Sequence, residues 1–201
     1  MRRSNPYVDT KIIKNDQDRP SYDRVTSIIG AFTDWSKIPE DVLERKKDIG
    51  TCTHRIIELM LQGKELGVIP EDIEGYIESF DRFWTDYSHN FDESTMRLEE
   101  RLWCDNHKIT GKPDMIIKKN DKTFILDWKT SAGMYSSYDL QAAAYCYLAI
   151  ESGYSNVDQP MFIRLRIDGK KPALTKFSNF ESSLEMFFKC LDVYRYFKMN
   201  K

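Results

Sequence analysis

The sequence predicts an α/β or α+β layer, that is, a central mixed β-sheet flanked by α-helices. Three observations predict this class. Four segments place apolar residues three or four positions apart, two short apolar runs flank one polar turn, and a later segment alternates apolar and polar residues. Taken in order, these segments predict two helices, a β-meander, a helix, a β-hairpin and a closing helix.

The length and composition favour one globular domain. The chain has 201 residues, of which 41% are hydrophobic and 31% charged, enough for one substantial core. We expect an irregular arm over residues 1–22 and a single domain over residues 23–201. No apolar run approaches the length of a membrane span, and the start lacks the apolar middle region of a secretory signal. The expected location is therefore intracellular, in the cytoplasm or, for a viral protein, in the host cytoplasm.

Cysteine usage and net charge exclude some functions and leave others open. The four cysteines are scattered singly without a C-x-x-C pair, which argues against a zinc or iron–sulfur site. The net charge of −2 gives no global signal for nucleic acid, although a local basic groove is compatible with it.

Two helices are predicted in the first half of the chain. The first starts near Pro39 and stops between Gly63 and Gly67, and the second covers "EDIEGYIESFDRFWTDYS" with acidic residues in its first turn. The stripe of the first consists of Ile49, Cys52, Ile56, Leu59 and Met60, and that of the second of Ile73, Tyr76, Ile77, Phe80, Trp84 and Tyr87. Both stripes are expected to pack on the core.

A strand near "MRLEERLWCD" leads into a hairpin whose tip is Asn120-Asp121. If the turn is centred there, Ile116 faces Ile125, Met115 faces Leu126, and Asp114 faces Asp127 with Cβ atoms about 5 Å apart. Along the second strand of the hairpin, apolar residues occupy both faces, so the strand is expected to lie inside a covered sheet.

The second half predicts a helix over "YDLQAAAYCYLAI", a strand over "MFIRLRI", a turn at "DGKK" and a short strand over "ALTKF". An amphipathic helix closes the chain through Leu184, Phe187, Phe188, Leu191 and Tyr194.

The facing aspartates of the hairpin indicate a metal site. Like charges directly across a ladder destabilise it, and a divalent cation between Asp114 and Asp127 would replace that repulsion by coordination. Hard oxygen ligands suit Mg²⁺ or Mn²⁺. Lys129 shares a strand face with Asp127, where its ammonium can orient or help deprotonate a water and stabilise charge on a phosphate. Taken alone, Asp and Lys at a strand end are equally typical of solvated residues.

The larger pattern resembles a known family. "PD" at Pro113-Asp114, a polar hairpin and "DWK" from Asp127 to Lys129 together resemble the PD-(D/E)XK nuclease superfamily. "GTCTHRIIELM", with His54, and "LQAAAYCY", with Gln141 and Tyr145, resemble its RecB-like exonuclease branch, including mitochondrial genome maintenance and phage recombination exonucleases. The resemblance extends from Gly50 to about Tyr147.

The resemblance implies a restriction-endonuclease-like core and a Mg²⁺- or Mn²⁺-dependent DNA exonuclease acting in recombination, repair or phage DNA metabolism. It implies that His54, Asp114, Asp127 and the carbonyl of Trp128 bind metal. It also implies that Lys129 assists the attacking water and that the metal-binding Asp114 and Asp127 are catalytic residues. Gln141 and Tyr145 are implied to position the DNA backbone or the water beside Lys129.

Further candidates are less specific. Glu58 lies four residues after His54 and could hold its imidazole, although a surface glutamate fits equally well. Strand alternation allows at most one of Glu99 and Glu100 to reach the site, and Glu100 is slightly favoured. Arg164, Arg166 and Lys112 are candidates for binding nucleic acid, but a solvated sheet face explains the two arginines about as well.

Three alternatives stay open. The first is a structure-specific or restriction-type endonuclease of the same fold. The second is a nucleic-acid-binding protein without catalysis, which the intact Asp114, Asp127 and Lys129 disfavour. The third is an RNA substrate, since phosphate chemistry does not distinguish the sugars. No G-x-x-x-x-G-K-[ST] motif is present, so a helicase or recombination factor would be a separate partner.

Overall fold

The computed structural model describes residues 21–158, 160–177 and 179–200. Most of the predicted arm, residues 1–20, lies outside this range. The described chain begins with strand β1 (Asp23–Arg24) and the short helix α1 (Val25–Gly30). Four longer helices follow at the predicted places, and their bounds are α2 (Glu40–Leu61), α3 (Glu71–Tyr87), α4 (Ser137–Glu151) and α5 (Phe180–Met199).

Proline and glycine residues set the limits of the first two long helices. Helices α2 and α3 start directly after Pro39 and Pro70, whose extended backbone is compatible with a helix start. Acidic residues fill the first turn of each helix, where they complement the positive end of the helix dipole. Helix α2 ends before Gly63, which has φ +64° and can reverse the chain without a Cβ clash.

The central sheet has five strands in the order β2-β5-β6-β7-β8. Their bounds are β2 (Asp92–Leu98), β5 (Met115–Lys119), β6 (Lys122–Lys129), β7 (Met161–Arg164) and β8 (Ala173–Lys176). All neighbours are antiparallel except β6 and β7, which are parallel and joined through α4. The prediction of a mixed sheet flanked by helices is therefore confirmed.

The predicted hairpin register is confirmed within the paired strands. Ile116 pairs with Ile125 and Met115 with Leu126 across β5 and β6. The tip contains Asn120, whose φ of +53° is a conformation that asparagine tolerates better than most residues. Asp114 lies one residue before β5 begins.

A second, smaller sheet was not predicted. It contains β1, β4 (Ile109–Gly111) and β3 (Leu102–Cys104) in the order β1-β4-β3. The expected continuous strand over "MRLEERLWCD" is wrong, because β2 ends at Leu98 and Glu99 has φ +52°. This left-handed residue turns the chain away from the five-stranded sheet and into β3.

Two apolar clusters cover the two faces of the central sheet. Phe124, Leu126 and Trp128 pack in one cluster with residues of α2 and α3. Ile116 and Ile125 pack in the other, with residues of α4, α5 and the small sheet. The prediction that β6 lies inside a sheet covered on both faces is thus confirmed.

The cysteines and helices of the described chain add two further facts. Cys52, Cys104, Cys146 and Cys190 are all free thiols. Across residues 21–158, 160–177 and 179–200, no helix combines the length and apolarity needed to cross a membrane.

Candidate active site

Asp114 occupies the centre of a buried polar cluster at the end of the hairpin. Its side chain is only 6% exposed, and both carboxylate oxygens have partners. Oδ1 lies 2.7 Å from Nδ1 of His54, and Oδ2 accepts a hydrogen bond of 2.6 Å from the backbone N–H of Trp128. Helix α2 and strand β6 therefore fix this carboxylate from two sides.

Glu99 joins this cluster through the turn that ends β2. Its backbone N–H donates to the carbonyl of Asp114 at 3.0 Å, and its carboxylate meets the ammonium of Lys112 at 2.5 Å. One ligand atom each from His54, Glu99 and Asp114 lie within 4.8 Å of one another. This is the spacing that a bound cation requires of its ligands.

The structure corrects the slight preference for Glu100. Its carboxylate accepts a hydrogen bond of 2.8 Å from the hydroxyl of Tyr154, while Glu99 lies in the cluster. The preference assumed a regular strand with alternating side chains. The positive φ of Glu99 breaks that alternation.

A second chain of contacts runs from Asp127 to α4. The ammonium of Lys129 lies 2.5 Å from Oδ2 of Asp127 and donates a 3.0 Å hydrogen bond to Oε1 of Gln141. Nε2 of Gln141 donates to the hydroxyl of Tyr145 at 2.9 Å, and this hydroxyl donates to the carbonyl of Lys112 at 3.3 Å. The chain thus returns to the segment that precedes Asp114.

Close packing holds Tyr145 in place. A Cβ added at Gly111 would lie 2.8 Å from the ring of Tyr145 and from the side chain of Leu148. Such a distance is shorter than carbon atoms tolerate, so glycine permits α4 to approach β4.

Aromatic rings surround the Lys129 ammonium, a feature that the sequence did not reveal. Nζ lies 4.8 Å from the ring centre of Tyr138 and 5.0 Å from that of Phe162. Rings at this distance attract a cation through their negative faces and exclude water.

The pKa values of the acids of the site differ because their surroundings differ. Burial raises the pKa of Asp127 to about 6, and Asp114 adds to the rise while Lys129 opposes it. Burial also raises the pKa of Glu99 to about 7, again with Asp114 adding to the rise and Lys112 opposing it. Burial would raise the pKa of Asp114 as well, but His54 and Lys129 hold it below its usual value.

The pKa values of the two bases near the acids are both raised. Burial favours neutral His54, yet Asp114 outweighs this effect and raises the pKa of the imidazole. Burial likewise favours neutral Lys129, and Asp127 outweighs it, so the pKa of the ammonium is also raised.

Other predicted residues have partners elsewhere. Glu58 accepts from Arg55 at 2.5 Å and from Gln62 at 3.0 Å, so its carboxylate is not bonded to His54. Arg164 donates to the carbonyl of Ala132 at 2.8 Å. Arg166 forms a bidentate pair with Asp168.

A family model for the PD-(D/E)XK nuclease superfamily matches residues 30–182. The match covers the helix with His54, the hairpin between Asp114 and Asp127, Lys129, and the helix with Gln141 and Tyr145. The chain belongs to the PD-(D/E)XK nuclease superfamily. No match is found among curated proteins.

Three solved structures are similar to this PD-(D/E)XK nuclease. The structure of SSO0001 has a TM-score of 0.46 and 12% identity, and the match covers 86% of this chain and 75% of that one. A candidate exonuclease from Eubacterium rectale has a TM-score of 0.43 and 11% identity, and the match covers 97% of this chain and 87% of that one. An alkaline exonuclease from Laribacter hongkongensis has a TM-score of 0.41 and 10% identity, and the match covers 90% of this chain and 93% of that one.

PD-(D/E)XK nucleases use divalent metals, and the residues of this site fit such an ion. Carboxylates and an imidazole converge in the group of His54, Glu99 and Asp114. Within the described residues, Oδ2 of Asp127 is buried and makes no hydrogen bond of standard geometry beyond its ion pair with Lys129. A ligand role for Asp127 and for the carbonyl of Trp128 stays a prediction, and of the two candidate glutamates the structure places Glu99 in the group.

Proposed function

We propose that this nuclease is a Mg²⁺- or Mn²⁺-dependent deoxyribonuclease that hydrolyses phosphodiester bonds from DNA ends. The observation that carries the proposal is the buried acidic cluster with a charged lysine beside it. Lys129 lies 2.5 Å from Asp127, and the cluster of His54, Glu99 and Asp114 has the donor set of a divalent cation. This arrangement in a nuclease family favours hydrolysis over binding alone.

The acidic residues and His54 hold the metal in this proposal. Their carboxylate oxygens and imidazole nitrogen are donors that a divalent cation takes, and the contacts of Asp114 to His54 and Trp128 orient its carboxylate in advance. When bound, the divalent ion polarises a phosphoryl oxygen and lowers the pKa of a coordinated water.

Lys129 acts as a hydrogen-bond donor in this proposal. Because the pKa of its ammonium is raised, the group stays protonated at neutral pH and cannot accept a proton from water. It can orient the attacking water and stabilise the negative charge that grows on the phosphate. Gln141 and, through it, Tyr145 fix the direction of this ammonium.

The reaction replaces one ester bond by one bond to water. The water oxygen forms a bond to phosphorus while the bond from phosphorus to the leaving sugar oxygen breaks. One proton of the water ends on the leaving oxygen, and the products are a phosphomonoester and a free hydroxyl group.

The preference for ends rests on the motif set, because the spacing of His54, the hairpin and the Q-x-x-x-Y helix resembles RecB-like exonucleases. DNA backbone contacts are assigned first to Arg164, whose guanidinium donates to the carbonyl of Ala132 next to the site. Lys112 and Arg166 are weaker candidates, because Glu99 and Asp168 pair with their cationic groups. A helicase or recombination factor would act as a separate partner.

The test compares the full chain with two lysine variants. End-labelled linear DNA, single- and double-stranded, is incubated with Mg²⁺ or Mn²⁺ beside covalently closed circles and an RNA oligonucleotide. Lys129→Ala removes the proposed donor. Lys122→Ala is the matched control, since Lys122 begins the same strand and its side chain is 66% exposed.

Loss of linear DNA alone, abolished by EDTA or Lys129→Ala and retained in Lys122→Ala, is the expected result. Nicking of the circles would replace the exonuclease by an endonuclease. Cleavage of RNA alone would change the substrate, and binding without metal-dependent cleavage would leave a nucleic-acid-binding protein.

A further inference from the structure

The segment of residues 130–136, which joins β6 to α4, carries an exposed aromatic ring beside the site. Tyr135 is 56% exposed, and its ring packs edge-on against Tyr138 with ring centres 5.5 Å apart. The ring of Tyr138 in turn lies 4.8 Å from the ammonium of Lys129. Two aromatic rings therefore lead from the proposed reaction centre to the surface.

From this arrangement we infer that Tyr135 is a stacking site for the unpaired base next to the phosphodiester at Lys129. The inference rests on the proposed function and deepens it, since it names single-stranded DNA as the substrate form. A base lies one sugar away from its phosphate, so a phosphate held at Lys129 places the attached base near this pair of rings.

Hydrogen bonds support the backbone of the segment. The hydroxyl of Ser131 donates to the carbonyl of Gly133 at 2.8 Å and accepts from the hydroxyl of Tyr138 at 3.1 Å. Arg164 donates to the carbonyl of Ala132 at 2.8 Å. An aromatic ring on a fixed support loses little conformational entropy when a ligand stacks on it.

The chemistry of the exposed ring selects an unpaired base. Stacking of a base on an aromatic side chain contributes about 1–3 kcal/mol and tolerates any sequence, because every base has a π-face. In a duplex the faces of internal bases are covered by their neighbours. A stacking ring at the reaction centre therefore favours a single strand or a frayed end over paired DNA.

A matched control lies on α5. Tyr196 is 63% exposed, and its ring packs edge-on against Phe197 with ring centres 5.4 Å apart. It reproduces the exposure and the ring contact of Tyr135 in another part of the molecule. Tyr196→Ala therefore reports what the loss of any exposed tyrosine ring does to DNA binding.

The test measures binding without cleavage. The fluorescence anisotropy of a labelled oligothymidylate is followed in EDTA with the full chain and with Tyr135→Ala, Tyr135→Trp and Tyr196→Ala. Each protein is also titrated with oligonucleotides in which one abasic position is moved along the strand, and with a blunt duplex. Thermal unfolding of each variant establishes that it is folded.

We expect Tyr135→Ala to weaken single-strand binding by about 5- to 100-fold and duplex binding by much less. Tyr135→Trp should restore the affinity, and Tyr196→Ala should leave it unchanged. One abasic position should weaken binding by the wild type and have little effect on Tyr135→Ala, because the base and the ring contribute one shared interaction.

The inference would be overturned if an abasic position weakened DNA binding equally in the wild type and in Tyr135→Ala. It would also be overturned if Tyr135→Ala weakened binding to single strands and to the duplex equally. The outcome is separate from that of the proposed function. Coupling between the base and the ring without metal-dependent cleavage would support the stacking site and reject the proposed deoxyribonuclease activity. Cleavage without such coupling would support that activity and reject the stacking site.

Discussion

Two groups of buried carboxylates in this chain have different electrostatic surroundings. Asp23 is 6% exposed, as is Asp114. Asp23 accepts hydrogen bonds from Arg195 at 2.8 Å and from Lys198 at 2.6 Å. Burial alone would raise the pKa of Asp23, but these two cations together lower it.

Two acids of the candidate site, Asp127 and Glu99, have too little positive charge nearby to produce the same result, although Asp114 does have a lowered pKa. The pKa of Asp127 rises to about 6 and that of Glu99 to about 7, in each case chiefly through burial and secondarily through Asp114. A buried acid with enough partner cations joins distant parts of the chain. The ionised form of a buried acid without them is energetically costly, so the acid keeps a proton more readily unless a further cation binds. The comparison therefore distinguishes a structural ion cluster from the candidate metal site.

The largest expected difference between the two groups is catalytic. Asp127→Asn should lower the cleavage rate at saturating Mg²⁺ by at least about 100-fold, because metal-ion chemistry supplies several kcal/mol of transition-state stabilisation. Asp23→Asn should keep the rate within about twofold, since Asp23 bonds to α5 and is not bonded to the site. Single-turnover cleavage of linear DNA measures both, and equal losses would remove the distinction.

The second difference concerns stability, and here Asp23→Asn is expected to have a larger effect than Asp127→Asn. Asp23→Asn should lower the free energy of unfolding by about 1–3 kcal/mol, because it leaves two cations without their buried partner. The loss is reduced because the side chains of Arg195 and Lys198 are 32% and 54% exposed. Urea unfolding of the metal-free proteins measures the change.

The lowered pKa of Asp23 also gives this contribution a pH dependence. The stabilisation is fully present above the ordinary aspartate value and is lost as pH falls through the lower value of the folded state. Asp127→Asn removes an acid whose ionised form is disfavoured by folding, and the Lys129 ammonium that loses this partner keeps its hydrogen bond to Gln141. Its loss should therefore be smaller than that of Asp23→Asn. A larger loss for Asp127→Asn would contradict the comparison.

Local patterns made much of the hairpin and its helices predictable. The apolar runs on either side of the Asn120 turn fix the register of Ile116 with Ile125, and the two-residue spacing along β6 places Lys129 on the same strand face as Asp127. The stripes of α2 and α3 likewise depend on contacts three and four residues apart. Such signals are carried within short segments.

The parts that were missed depend on backbone reversals or on distant residues. The position of Glu99 follows from its φ of +52°, which a glutamate in a strand-like segment does not signal. The contact of Asp23 with Arg195 joins residues that are 172 positions apart. Phe162 reaches Lys129 because β7 lies parallel beside β6. A single sequence does not show which distant residues come into contact or where the backbone reverses. These three features could therefore not be predicted from it.

The smallest expected effect is the pH dependence of the stabilisation by bound metal. Glu100 serves as the internal control for Glu99 in this experiment. Free metal at ten times its dissociation constant should raise the free energy of unfolding by about 1.4 kcal/mol. The effect should increase from pH 6 to pH 8, because Glu99, with a pKa of about 7, must lose its proton before its carboxylate can bind a cation. Thermal unfolding with and without Mg²⁺ or Mn²⁺ measures it.

Glu99→Gln should weaken this metal-dependent stabilisation and flatten its rise with pH. It should not abolish the rise, since His54 also has a raised pKa and loses a proton in the same direction. Glu100→Gln should preserve both the size and the pH dependence, because the carboxylate of Glu100 bonds to Tyr154. If Glu100→Gln weakened metal binding as much as Glu99→Gln, the turn at Glu99 would not define the metal site, and excess negative charge in general would explain the linkage.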